Sequence, residues 1–282
     1  MRNVTPTVRL IARTFPRREE ISEWLHEHEV SGAQIEKLFE GRSWSTILIE
    51  MAGRRCYKSF EPGLNPNVTK IREDVQEYIR NILKVGHGSV LEHVSFTFAI
   101  ENVSRVFTGE MNRHRAGMAI SEGSMRYIRF EDIPYWIPDS IYLSDTEKSH
   151  LLANDPSTDT IKKAQSQEVF RDVFSYVEKA YQRLQDIWKE ELAPSSTFRD
   201  KKNITSMMRR IIPMGVATGG LWTGNVRALR HIFNMRCDEA AEEEIQLVAE
   251  LMLEILLDIE PILFGDFKRN EKGYYHPEFP KV

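Results

Sequence analysis

Apolar residues recur every three or four positions over most of this chain and alternate strictly in only a few places. The spacing predicts short helices over 19–28 and 34–39, parted by the Ser31-Gly32 break, and a mixed helical run from Trp44 to Tyr57. After a turn marked by Pro62, Gly63 and Pro66, Asn67 is placed to cap a helix over 68–85 that Gly86 ends. Ile71, Val75, Tyr78, Ile79 and Ile82 share one face of it. Strict alternation marks 94–100, where Val94, Phe96, Phe98 and Ile100 point one way: a strand with one apolar face. Residues 8–11 form a second short strand. Helical spacing returns over 103–112. Residues 113–127 are polar and glycine-containing and read as a loop; 130–140, with Pro134 and Pro138, read as extended chain. The most polar stretch, 144–160, reads as a surface excursion. Amphipathic helices follow over 161–192 and 203–212, stopped by Pro194 and Pro213. Thr223 or Gly224 opens a helix through Arg236, Asp238 caps another over 239–259, and a polar tail from Gly265 wraps the surface. With helices dominant, strands few and no linker composition, the expectation is one α+β domain over 1–282.

Composition narrows the function classes. Hydrophobic residues make up 41% and charged residues 28% of 282, the balance of a globular protein, which excludes a disordered or collagen-like chain. Thirty-eight Lys and Arg against 42 Asp and Glu leave a net charge of −4, the wrong sign for a bulk nucleic-acid binder. Local basic clusters can still hold a small phosphate ligand. Two cysteines, Cys56 and Cys237, make neither a disulfide framework nor a CxxC zinc pair. The start has no apolar run of signal-peptide length. The greasy run over 247–263 is interrupted by Glu250, Glu254, Asp258 and Glu260, so no membrane association is expected and the cytoplasm is the expected compartment.

Three polar constellations are candidates for chemistry. The densest, over 110–127, sets Arg113, His114, Arg115 and Arg126 among two glycines, Glu122 and Ser124. Guanidinium forks take phosphate oxygens in pairs, and glycines let backbone N–H groups approach an anion. The plainer alternative is a solvated charged loop. The second, GHGSVLEH over 86–93, carries His87, Ser89, Glu92 and His93. Two histidines and a carboxylate can ligate a metal, as in a metal hydrolase. The spacing is not HExxH, however, and no metal is expected; histidines and a Glu buried at a strand start and bonded to backbone explain it as well. The third, NVRALRHIFNMR over 225–236, places Asn225, Leu229, Ile232 and Arg236 near one helix face and Arg227, His231 and Asn234 elsewhere. A polar surface helix and a nucleotide-facing helix both fit.

Together these segments resemble the flavin-dependent thymidylate synthase family. The likeness runs through VRLI, RRCYKS, GHGSVLEHVSFTFAIENVSR, RHR with Ser124 and Arg126-Tyr127, and WTGNVRALRHIFNMR, over most of 44–130 and 204–264. The resemblance implies an α+β fold with a small, mostly antiparallel sheet packed by long helices, preceded here by an extra helical segment at about 18–42 and followed by the tail 265–282. It implies a homotetramer with shared active sites, bound FAD, and reductive methylation at C5 of dUMP, with methylenetetrahydrofolate as one-carbon donor and NADPH as reductant. Carried over by position, Ser89, Arg113, His114, Arg115, Asn225 and Arg227 hold FAD, with His87, Glu92, Glu122 and His231 beside it. Glu110, Glu122, Gly123, Ser124, Met125, Arg126 and Arg209 (or Arg210, one residue on) bind the nucleotide. Arg236 contacts the uracil ring and stabilises its developing negative charge.

The chain departs from the family pattern in ways that bear on the nucleotide. The spacer from Arg115 to Ser124 is one residue longer, His231 replaces a frequent Asn, and Glu110 replaces a common Gln. An acceptor-only carboxylate beside a phosphate is repelled unless paired, so Glu110 is expected to meet Arg113, Arg126 or Arg209, or to accept from a ribose hydroxyl, which would admit UMP beside dUMP. The alternatives are a divergent relative acting on another pyrimidine nucleotide and a non-catalytic phosphate- or RNA-binding helical protein.

Overall fold

The computed structural model describes residues 2–68, 70–153 and 157–281. In chain order the elements are β1 (Arg2–Asn3), β2 (Thr7–Arg13), α1 (Arg18–Glu27), α2 (Gly32–Phe39), α3 (Trp44–Tyr57), α4 (Val75–Val85), β3 (Ser95–Ser104), α5 (Arg105–Met111) and β4 (Met118–Glu122). There follow β5 (Pro134–Tyr135), α6 (Asp145–Ala153), α7 (Thr158–Ile187), α8 (Phe198–Met208), β6 (Ala217–Asn225), α9 (Val226–Arg236), α10 (Glu243–Ile259), α11 (Pro261–Phe264), β7 (Phe267–Arg269) and β8 (Tyr275–Pro277). Among the described residues no helix is long and apolar enough to cross a membrane.

The fold is α+β, and its four-stranded sheet runs in the order β2-β3-β6-β4. Hydrogen bonds at both ends of β6 fix its direction. Val226 N donates to Val94 O and Arg105 N to Val216 O on one side; Asn225 N donates to Gly117 O and Gly123 N to Gly219 O on the other. Both pairings are antiparallel. Two strands correct the sequence reading. β4 lies inside the stretch expected to be loop, because its only apolar side chains are Met118, Ala119 and Ile120, too few to signal alternation at a sheet edge. β6 carries glycines at 219, 220 and 224, which erase the periodic signal.

Helix starts shift for identifiable reasons. α4 begins at Val75, not 68, because Asp74 accepts from Glu77 N. The preceding residues are drawn aside by Arg54, whose Nη2 donates to Arg72 O, and by the Lys37–Glu73 ion pair. α10 is capped by Glu242 rather than Asp238, whose carboxylate closes a turn on Ala240 N. Ser104 caps α5 after β3 runs four residues beyond the alternating segment. α9 opens at Asn225, one or two residues later than expected. α6 lies in the expected surface excursion, part of which, 154–156, is outside the described residues.

The backbone divides into two compact units. One comprises residues up to Thr7, Ile100–Arg113 and Ile120–Leu221. Its core packs Phe174 and Tyr181 of α7 with Ile133, Tyr135, Ile137, Leu192, Met208 and Val216. The other comprises Val8–Ala99, His114–Ala119 and the chain from Trp222 onward. Here Phe96, Phe233, Phe264 and Phe267 make edge-to-face contacts in the core. Glu260 is buried and accepts from Ser43 and Ser45 at the start of α3. The tail from Gly265, expected to be polar wrapping, forms the β7–β8 hairpin with Phe267 and Tyr275 buried.

Candidate active site

In the unit that carries α9, the segment 114–119 is seated on the start of that helix. Asn225 Oδ1 caps α9 by accepting from Ala228 N at 2.8 Å, while its backbone N donates to Gly117 O at 3.0 Å. Gly117 has φ +71°, and a Cβ there would lie 2.6 Å from Asn225 Nδ2. Only glycine satisfies both the backbone twist and the approach.

His114 and Arg236, 122 positions apart, meet in this arrangement. Arg236 Nε donates to His114 Nε2 at 3.0 Å, which requires that nitrogen to be unprotonated and the ring proton to sit on Nδ1. Burial, then the adjacent Arg236 and His231 charges, push the His114 pKa down to about 4. The His231 ring stands edge-on to His114 at 5.9 Å. Neutral His114 is thus a fixed acceptor for the Arg236 guanidinium.

The GHGSVLEH segment forms a 3-10 helix over Gly88–His93. His87, Ser89, Glu92 and His93 are exposed, which corrects the expectation of buried groups bonded to backbone; the apolar Val90 and Leu91 are what this turn buries. Arg227 Nη1 donates to Glu92 at 2.6 Å, and its side chain lies across Gly88 so closely that a Cβ there would come 2.6 Å from Nε. His87 stacks on Tyr57 at 6.1 Å. Among the described residues no three His, Cys, Asp or Glu side chains are grouped to hold a metal. Cys237 is buried, which pushes its thiol pKa up and keeps it from acting as a thiolate nucleophile.

The other unit holds a cavity of about 520 Å³ lined by Glu122, Gly123, Ser124, Met125, Arg209 and Arg210, together with Arg105 and Asn112. The arginines on either side of the one-residue ambiguity both face it. Arg210 Nη1 donates to Ser206 O at 2.9 Å. Arg105 pairs with Glu122 and donates to Gly123 O at 2.6 Å, and Asn112 Nδ2 donates to the second Glu122 oxygen at 3.1 Å. Three guanidiniums against one carboxylate favour an anionic ligand. Glu110 and Arg113, near the end of α5, and the exposed Arg126 are not among the residues lining this cavity. Arg113 N donates to Glu110 O at 3.2 Å, and Arg126 N to Ser124 Oγ at 3.4 Å. Arg115 is exposed in the turn before β4. Arg105 and Asn112 were missed as site residues; the one signal for them was their place inside the motif-bearing stretch.

Comparison with known proteins adds to this geometry. Residues 38–262 match the family model Thy1, thymidylate synthase complementing protein. The chain is 34% identical over 226 residues to the flavin-dependent thymidylate synthase of Corynebacterium diphtheriae, a match covering 79% of each chain. It is 35% identical over 227 residues to the probable flavin-dependent thymidylate synthase of Mycobacterium phage D29, covering 80% of this chain and 85% of the relative. Among solved structures, the fold is similar to that of a UMP/dUMP methylase, PolB from Streptomyces cacaoi, bound with 5-Br dUMP. The TM-score is 0.62 at 20% identity, over 94% of this chain and 96% of that one. At that identity the likeness bears on fold alone.

Proposed function

The chain belongs to the Thy1 family and is an enzyme of the flavin-dependent thymidylate synthase type, and on that footing we propose that it methylates C5 of a uracil nucleotide reductively, with methylenetetrahydrofolate as one-carbon donor and NADPH as reductant. The substrate is dUMP, with UMP as a second candidate. FAD is held by Ser89, Arg113, His114, Arg115, Asn225 and Arg227, beside His87, Glu92, Glu122 and His231. The donor set fits that group: the guanidiniums of Arg113, Arg115 and Arg227 and the Asn225 amide are the donors that suit a pyrophosphate. When bound, FAD supplies the redox chemistry that NADPH drives. The nucleotide's sugar and phosphate occupy the cavity of Glu122, Gly123, Ser124, Met125 and Arg209, with Glu110 and Arg126 contributing from outside its lining.

One observation carries the reading: Arg236 is held by the neutral His114 of the RHR motif. A guanidinium fixed in this way stabilises negative charge as it develops over O2 and N3 of a uracil, which makes C5 the better nucleophile. The active form is a homotetramer with shared sites. The test combines cofactor content with turnover. Purified protein is expected to show a flavin absorption band and to convert dUMP, assayed beside UMP and dCMP, with methylenetetrahydrofolate and NADPH. Arg113→Ala is expected to lose FAD affinity about 10-fold or more, the value of a contact to a charged group. A colourless protein that cannot be reconstituted would refute the proposal.

A further inference from the structure

Arg105 has no role in the reading above, yet it is the most constrained cation lining the nucleotide cavity. It is the first residue of α5, its backbone N tied to Met214 O at 2.9 Å and its side chain four-fifths buried. The planar fork is spent on two neighbours: one Nη on Glu122, the other on Gly123 O at 2.6 Å. Its Nε is buried with no hydrogen-bond partner. Asn112 engages the remaining Glu122 oxygen at 3.1 Å.

This geometry makes Glu122 unlike a surface carboxylate. Each oxygen accepts one bond from the protein, the guanidinium neutralises its charge, and its side chain is only 16% exposed. Each oxygen retains acceptor capacity, and an ionised carboxylate donates nothing. A ligand group that satisfies it must be a donor. On a nucleoside monophosphate the donors near the phosphate are sugar hydroxyls. Without Arg105, the Glu122 carboxylate would repel the phosphate that Arg209 and Arg210, lining the same cavity, attract.

We propose that Arg105 is a positioning residue for the nucleotide: it fixes Glu122 as an ionised, acceptor-only contact for the sugar 3′-hydroxyl and neutralises that carboxylate in a cavity that takes a phosphate. The proposal rests on the reading of this cavity as the nucleotide site.

The test is equilibrium binding of dUMP and of its 2′,3′-dideoxy analogue to the flavin-loaded protein, so that the readout is a ratio of affinities. Wild type is expected to prefer dUMP about 10- to 100-fold, the value of one hydrogen bond to a charged group. Glu122→Gln and Arg105→Met should each bring the ratio near one. Arg105→Lys, which keeps the charge but loses the fork, should fall between. Should Arg105→Met fail to fold, the double variant Arg105→Met/Glu122→Gln leaves no unpaired carboxylate and is expected to bind both ligands alike. If Arg105→Lys weakens both ligands equally and leaves the ratio at its wild-type value, Arg105 only supports the fold and the proposal is wrong. If wild type binds neither ligand, it is the reading of the cavity that fails.

Discussion

His114 shows how a single side chain is defined by what surrounds it. In the sequence it is the histidine between two arginines of an RHR string. In the fold it is a neutral acceptor, because burial and two neighbouring charges oppose its protonation. Its folded pKa, about 4, lies below the ordinary 6.5. The stability it contributes is therefore complete above pH 6.5 and is lost as pH falls toward about 4, where protonation breaks the bond from Arg236. An imidazole NMR titration should find His114 neutral at pH 5.5, with the proton on Nδ1. His114→Gln, which keeps an acceptor and cannot be protonated there, should remove that part of the acid sensitivity. A His114 resonance titrating near 6.5 would contradict the geometry.

At the scale of elements, α9 separates what the sequence ran together. Its arginines look interchangeable in NVRALRHIFNMR, but each turn of the helix gives them different work. Arg227 reaches Glu92 across Gly88, and Arg236 meets His114. Arg230 is fully buried, with both Nη groups on Asp266 at 2.7 Å and further bonds to Leu263 O and Phe279 O. Removing one partner of such a pair leaves an uncompensated buried charge. Arg230→Met is therefore expected to cost about 3–5 kcal/mol in denaturant unfolding, and Asp266→Asn in the same background to recover part of it. Periodicity made α1, α2, α3, α7 and α9 legible, since each buries a stripe. It failed at β4 and β6, where glycines and a sheet edge leave no stripe to read, and at the start of α4, where Arg54 and Lys37 overrule local spacing. Motif order singled out Glu122 and Ser124, which line the cavity. It passed over Arg105 because a guanidinium that serves a carboxylate instead of a ligand has no signature of its own.

On the scale of the whole molecule, the α+β class followed from the balance of periodicities, whereas the sheet order did not, because the pairing of β3 with β6 joins residues more than a hundred positions apart. The proposed tetramer gives a direct expectation. Sedimentation equilibrium should return four copies of the 32.9 kDa chain, and dilution to the monomer should abolish turnover while leaving the far-ultraviolet circular dichroism unchanged. Turnover that persists in an isolated monomer would rule out shared sites.

The division of the chain into Val8–Ala99, a short middle piece and the residues from Trp222 onward has a consequence for biosynthesis. Ser43 and Ser45 wait for Glu260, Val94 for Val226, and Phe96 for Phe264. None of these partners exists while the first hundred residues emerge from the ribosome. This unit must therefore complete its folding after most of the chain has been made, and in the interval its nascent N-terminal part displays Phe96, Phe98, Ile47 and Ile49 uncovered. A ribosome-bound intermediate of that kind is a natural client for holding chaperones.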